Sequence, residues 1–164
     1  MNGLPSGNTS QTARLLAGAR GFAVGWQEVL YVAQPAAGAQ WSARMEGRFL
    51  TRLLAVRYTF NASGVVANRN PRFELTDNNG TAICAVPAGQ GITAGSFETV
   101  SLAVGIAQTD TGGAGFTYGC LPDLTVPGDW VWGTQTPGMD VGDQYSSIAL
   151  LVQRFPVDAT MIEA

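Results

Sequence analysis

With 164 residues, 46% of them hydrophobic and only 13% charged, the chain has the length of one domain, ample material for a core and about half the usual share of charge. A net charge of −3 gives no basic footprint for nucleic acid or an anionic membrane surface, and no apolar run reaches the roughly 18 residues of a membrane helix. Histidine is absent, so neither a Ser–His–Asp nor a Cys–His nucleophile can be assembled, and the usual catalytic zinc sites lack their main ligand.

A sparsely charged surface suits a protein that buries area against copies of itself or a larger assembly, because charge is what keeps soluble proteins apart. All nine cationic residues are Arg. Arg favours fixed interfaces through its planar, bidentate donor set, although the codon usage of a GC-rich genome explains the bias equally well.

Residues 1–25 are rich in Gly, Ser, Ala and Asn and read as an N-terminal arm with no secretory signal pattern, which points to synthesis in the cytoplasm. Arg14, Leu15, Leu16, Arg20 and Phe22 give this arm the means to dock; a merely loose terminus is the competing account. From Trp26 to the end at 164, one domain with a short C-terminal tail follows, without internal repeat or linker.

Trp26–Ala33 opens the strand pattern. Phe49–Phe60 is ambiguous, since Phe49, Leu53, Val56 and Phe60 also fit one helix face; the alternation in Val56–Phe60 favours a strand. Between Arg72–Thr76 and Thr81–Val86, the Asn79-Gly80 pair predicts a two-residue type I′ hairpin that places Cys84 on the face of Phe73 and Leu75. Thr99–Ile106 alternates, with Val100, Leu102, Val104 and Ile106 inward and Thr99, Ser101, Ala103 and Gly105 on an opposite face that is thin or solvated. Thr117–Leu121, Trp130–Thr136 and the row Ile148, Leu150 and Val152, ended by Pro156, complete eight strands. With 21 glycines and 8 prolines for the turns, an all-β, eight-stranded antiparallel jelly-roll-like sandwich is expected. An immunoglobulin-like sandwich is the competitor, but its Cys…Trp…Cys spacing is missing. Cys84 and Cys120 form no metal-type pair and are expected as buried free thiols.

Three phrases carry a family resemblance: Ala67-Asn68-Arg69 before the strand of Phe73 and Leu75, Leu121-Pro122 leading to Pro127-Gly128 and a Trp-bearing strand, and Gly142-Asp143-Gln144-Tyr145 running into Ile148–Val152. Together with Trp41, they resemble phage-encoded virion proteins with a jelly-roll domain, over roughly residues 26–156. The resemblance implies a capsid decoration, cement, spike-type or tail-associated subunit, commonly a homotrimer, that contacts the major capsid protein or other virion proteins. It implies no catalytic residue, cofactor or metal. Read locally, Asp143 and Gln144 hydrogen-bond loop backbone at the entry to the last strand, and Arg69 anchors a loop or meets a carboxylate of a neighbouring subunit.

Two other readings stay open. Trp130 and Trp132 share a strand face with Tyr118 as a neighbour, and an exposed row of these aromatics would stack on a glycan, making a carbohydrate-binding module of a host-recognition structure; packing into the sandwich is the plainer account. Asp123, Asp129, Asp140 and Asp143 could supply a glycosidase acid–base pair or bind calcium, but solvated loop carboxylates are the simpler expectation.

Overall fold

The structure is a computed structural model that describes residues 25–87, 91–107, 109–110 and 115–157. These residues form strands and no helix: β1 (Trp26–Val32), β2 (Ser42–Arg44), β3 (Phe49–Asn61), β4 (Arg72–Thr76), β5 (Ala82–Pro87), β6 (Phe97–Val104), β7 (Thr109–Asp110), β8 (Phe116–Leu121), β9 (Thr125–Val126), β10 (Val131–Gln135) and β11 (Gln144–Pro156). Seven strands make one sheet in the order β1-β11-β3-β6-β8-β7, with β9 paired to β3; four make the other, β2-β10-β4-β5. All pairs are antiparallel except β6 with β8. Each of the eight expected segments falls on a strand, and β2, β7 and β9 are additions of two or three residues, too short for an alternation to announce them.

The long pair β3–β11 explains the helix-like spacing of Phe49–Phe60. Phe49, Thr51 and Leu53 point inward, and so do Val56, Tyr58 and Phe60. Between the two sets the register jumps from Leu53↔Val152 to Ala55↔Leu151, leaving Leu54 as the extra residue of a β-bulge. One inserted residue turns a spacing of two into three and imitates a helical step.

Between the sheets, Trp132 lies flat on Phe73, with ring centroids 5.2 Å apart and planes 2° from parallel. Trp41 packs on Phe73 and Tyr58, and Tyr145 meets Tyr58 and Phe60 edge-on. Such pairs add about 0.5–1.5 kcal/mol each beyond the area they bury. Gly133 has to be glycine, because a Cβ there would stand 2.7 Å from the Trp41 carbonyl oxygen where β2 pairs with β10. Val100 and Leu102 are fully buried, whereas Val104 is half-buried and Ile106, past the end of β6, is exposed, which corrects the inward placement expected for it.

The hairpin between β4 and β5 is not type I′. Gly80 N–H donates to the Asp77 carbonyl and Asp77 N–H to the Thr81 carbonyl, while only Gly80 has positive φ, at 81°. This is a type I turn over Asn78 and Asn79 closed by a glycine bulge. The Asp77 carboxylate, which accepts the N–H groups of Asn79 and Thr81, stabilises that alternative. Cys84 still pairs with Leu75 and shares its face, because the shift falls between Leu75 and Thr76. Both thiols are free, but Cys84 is only half-buried and Cys120 is exposed, contrary to the buried placement expected. In β8 the inward positions belong to Thr117, Gly119 and Leu121, which sends Cys120 outward.

Candidate functional site

Two features stand out once the side chains are placed: a buried ionic latch at one end of the sandwich and an apolar trough on its seven-stranded face.

The latch joins connections that are remote in sequence. Arg69 and Asp143, 74 residues apart, are both fully buried, with Nε donating to Oδ2 at 2.6 Å. Asp143 Oδ1 accepts Ser63 N–H at 2.7 Å and Oδ2 also accepts Asp140 N–H at 2.7 Å. The remaining guanidinium donors reach Ser63 Oγ and the Ala67 carbonyl, and Ser63 Oγ donates to Asp140. Burial pushes the Asp143 carboxyl up, but the hydrogen bonds from Arg69, Asp140 and Ser63 outweigh it and hold the group below the usual carboxylate range. Asp140 is lowered as well, first by Gly142 N–H and then by the Ser63 hydroxyl.

Backbone bonds tie in two further segments: Gly38 N–H to the Asp143 carbonyl, Ile92 N–H to Arg69 and Gly95 N–H to Ser63. Gln144 completes the entry to β11 by donating to the Pro35 carbonyl at 2.7 Å. Asp143 and Gln144 therefore bond loop backbone as their sequence position suggests, and Arg69 finds its carboxylate within its own chain. Asp143 is not the solvated loop carboxylate expected of it. Asp123, in contrast, is a surface residue in a bidentate pair with Arg52, both contacts 2.6 Å, and Asp129 is exposed 3.9 Å from Arg44. Of the four aspartates, Asp140 and Asp143 come together in the latch, while Asp123 and Asp129 lie apart from it in separate ion pairs. Among the described residues no group of three or more His, Cys, Asp and Glu could hold a metal ion.

The trough follows from the register of the large sheet. One row of outward side chains runs Val29, Leu151, Ala55, Ala103 and Cys120; the next runs Tyr31, Ala149, Arg57, Ser101 and Tyr118. Ala149, Ala55, Ala103 and Ser101 are the small residues of the three central strands, which also carry Leu151 and Arg57, and Val29 on β1 and Tyr118 on β8 flank them. The result is a concavity of about 300 Å³ walled by Val29, Leu151, Ile106 and Tyr118. Its one charged side chain is Arg57. The outer face of the four-stranded sheet differs in kind. It carries Ser42, Arg44, Glu74, Thr76 and Gln135, with Arg72 bound to Glu74 at 2.6 Å and to Gln135 at 2.5 Å. The trough as a whole escaped the sequence reading, although Tyr118 was singled out and the opposite face of Ser101 and Ala103 was a visible part of the signal.

The proposed aromatic row does not form. Trp132 is in the core at 1% exposure, Trp130 is half-buried against that core and precedes β10, and Tyr118 projects from the other sheet. Packing won because Phe73 offers Trp132 a flat apolar partner across the neighbouring strand. Arg14, Leu15, Leu16, Arg20 and Phe22 lie outside the described residues.

What the fold defines is a two-layer, all-β sandwich. No protein-family model and no curated protein matches the chain. Solved structures that resemble it include the Gx strain of infectious bursal disease virus, 17% identical with a TM-score of 0.36, covering 80% of this chain and 30% of that one. A T13 particle of the same virus is 14% identical with a TM-score of 0.34, covering 77% and 31%. Its VP2 subviral particle is 13% identical with a TM-score of 0.33, covering 79% and 33%. The chain spans about a third of the length of these structures.

Proposed function

We propose that the chain is a jelly-roll structural subunit of a phage particle, a decoration, cement or spike-type protein that works through protein–protein contacts. The strand order supports the jelly roll. Sheets ordered β1-β11-β3-β6 and β2-β10-β4-β5 place successive strands alternately in the two layers except at the β4–β5 hairpin, as two nested Greek keys do. The eight strands concerned differ from the eight counted in the sequence, with β2 taking the place of β8, which extends the first sheet beside β6.

The observation that carries the function is the apolar trough. A free monomer gains nothing from Val29, Leu151, Ala55 and Ala103 in one outward row, whereas a subunit that buries this face against another protein gains about 25 cal/mol for each Å² of apolar surface removed from water. The partner is the major capsid protein, another virion protein or a sister subunit, and a homotrimer is the form the sequence resemblance implies. A second attachment is assigned to residues 1–25, whose Leu15, Leu16 and Phe22 gain binding energy only on docking.

The test is incorporation into particles. Purified virions should contain the chain in fixed stoichiometry, and Tyr118→Glu should lower its occupancy at least tenfold without changing its thermal unfolding, since Tyr118 is already exposed. Deletion of residues 1–20 should likewise leave a folded domain that attaches less. A chain absent from virions, or a Tyr118→Glu variant that attaches normally, refutes the proposal. The glycan-binding alternative required a coplanar surface row of Trp130, Trp132 and Tyr118, and the burial of Trp132 removes its basis.

A further inference from the structure

Two sheets have four edges, and three of these edges carry features that discourage pairing with another chain. β2 is three residues long and β7 two. β5 is kinked by the register shift opposite Leu75 and Thr76 and ends on Pro87. The fourth edge is β1, whose one feature of this kind is an inward-facing charge. It pairs with β11 residue for residue from Trp26↔Arg154 to Val32↔Ile148 without a bulge, and it contains no proline. Its one charge, Glu28, faces the inner side of the sheet and is neutralised by Arg154 at 2.5 Å. No described strand pairs with its other side.

The side chains along this edge point the same way. Tyr31 is 83% exposed and Val29 47%, both on the outward face beside the trough. Alternate N–H and C=O groups of an edge strand form a template for one more strand, and a second copy of this chain supplies one of matching length and pattern.

We infer that two copies join edge to edge through antiparallel β1–β1′ pairing about a twofold axis at Val29. Of the registers open to a seven-residue strand, this one uses all seven residues. It sets Val29 opposite Val29 of the second copy and Gln27 opposite Tyr31 on the outer face, with Trp26 opposite Val32 on the inner face. The contact is isologous, so it closes after two copies and consumes the edge instead of propagating a fibre. It also makes one continuous sheet whose two troughs lie side by side. The inference stands apart from the particle role: a lone subunit becomes a dimer.

The test uses the full chain and measures mass by light scattering and sedimentation at micromolar concentration. The native chain should have an even number of copies. Val29→Lys places like charges directly opposite each other at the axis and should halve the mass, and Val29→Glu should do the same. Both variants should keep the native circular dichroism spectrum, because the side chain projects from the outer face. An equimolar mixture of V29K and V29E should restore the native mass, since opposite charges then meet at the axis; a surface patch acting by hydrophobicity alone would not recover. A native monomer, an odd number of copies, a V29K mass equal to the native one, or a V29K/V29E mixture that stays at half mass overturns the inference.

Discussion

Replacing Asp143 by Asn tests the latch with almost no change of shape. Both members of the pair are fully buried, and Asp143 accepts three N–H donors on its two oxygens, from Ser63, Asp140 and Arg69. Asparagine offers one acceptor oxygen, so whichever way its amide turns, its NH2 confronts at least one of these donors. Stranding a buried donor costs about 1–3 kcal/mol. Arg69 also loses its counter-charge, and removing one partner of a buried pair costs about 3–5 kcal/mol in all. For a domain of this size, that is a fall in Tm of about 6–20 °C. Equilibrium urea unfolding of Asp143→Asn, Arg69→Met and the double variant Arg69→Met with Asp143→Leu measures the effect. The double variant should lose less than the sum of the single variants by about 2 kcal/mol, because no isolated charge remains. An Asn variant that costs under about 1 kcal/mol, the value of a solvated surface pair, would refute the latch.

The same carboxylates set an acid limit. Asp143 and Asp140 are held below the ordinary range, so between their folded and unfolded pKa values the unfolded chain binds more protons. Stability should therefore be intact near neutrality and fall as pH drops below about 4, more steeply than in Asp143→Asn, as pH-dependent urea midpoints would show. Gly80→Val should cost about 1 kcal/mol or more by chemical denaturation. A Cβ at Gly80 has nothing within 4 Å, so the whole cost would come from a β-branched residue forced to positive φ. A maleimide reagent should label Cys120 first and Cys84 more slowly, because Cys120 is exposed while burial raises the thiol of half-buried Cys84 and lowers its thiolate fraction.

The sandwich was legible wherever a period of two persisted without interruption, as in Ile148, Leu150 and Val152 or Val100 and Leu102. It blurred where one residue broke the phase, as Leu54 does in β3. Periodicity also cannot say which face is inside. Trp130 and Trp132 share their parity with a surface row or with a core, and only Phe73 on β4 decided the matter. The latch was half visible: Asp143 and Arg69 each stood in a phrase worth singling out, but nothing local joins residues 74 positions apart, and loop carboxylates are usually wet. The trough was hidden for another reason. Alanine and serine on outward positions look featureless until the register lines them up across three adjacent strands.

The latch has an implication for how the molecule could be altered. The connections β1–β2, β3–β4 and β10–β11 and the residues leading into β6 all meet at the end of the sandwich where Arg69 and Asp143 sit, so a foreign peptide spliced into any of them would have to thread a shared knot of bonds. The hairpin of Asp77–Thr81 lies at the opposite end and bonds mainly to itself. Cargo displayed from the sandwich belongs there, between Asn78 and Asn79, on a loop whose rearrangement the rest of the fold would scarcely register.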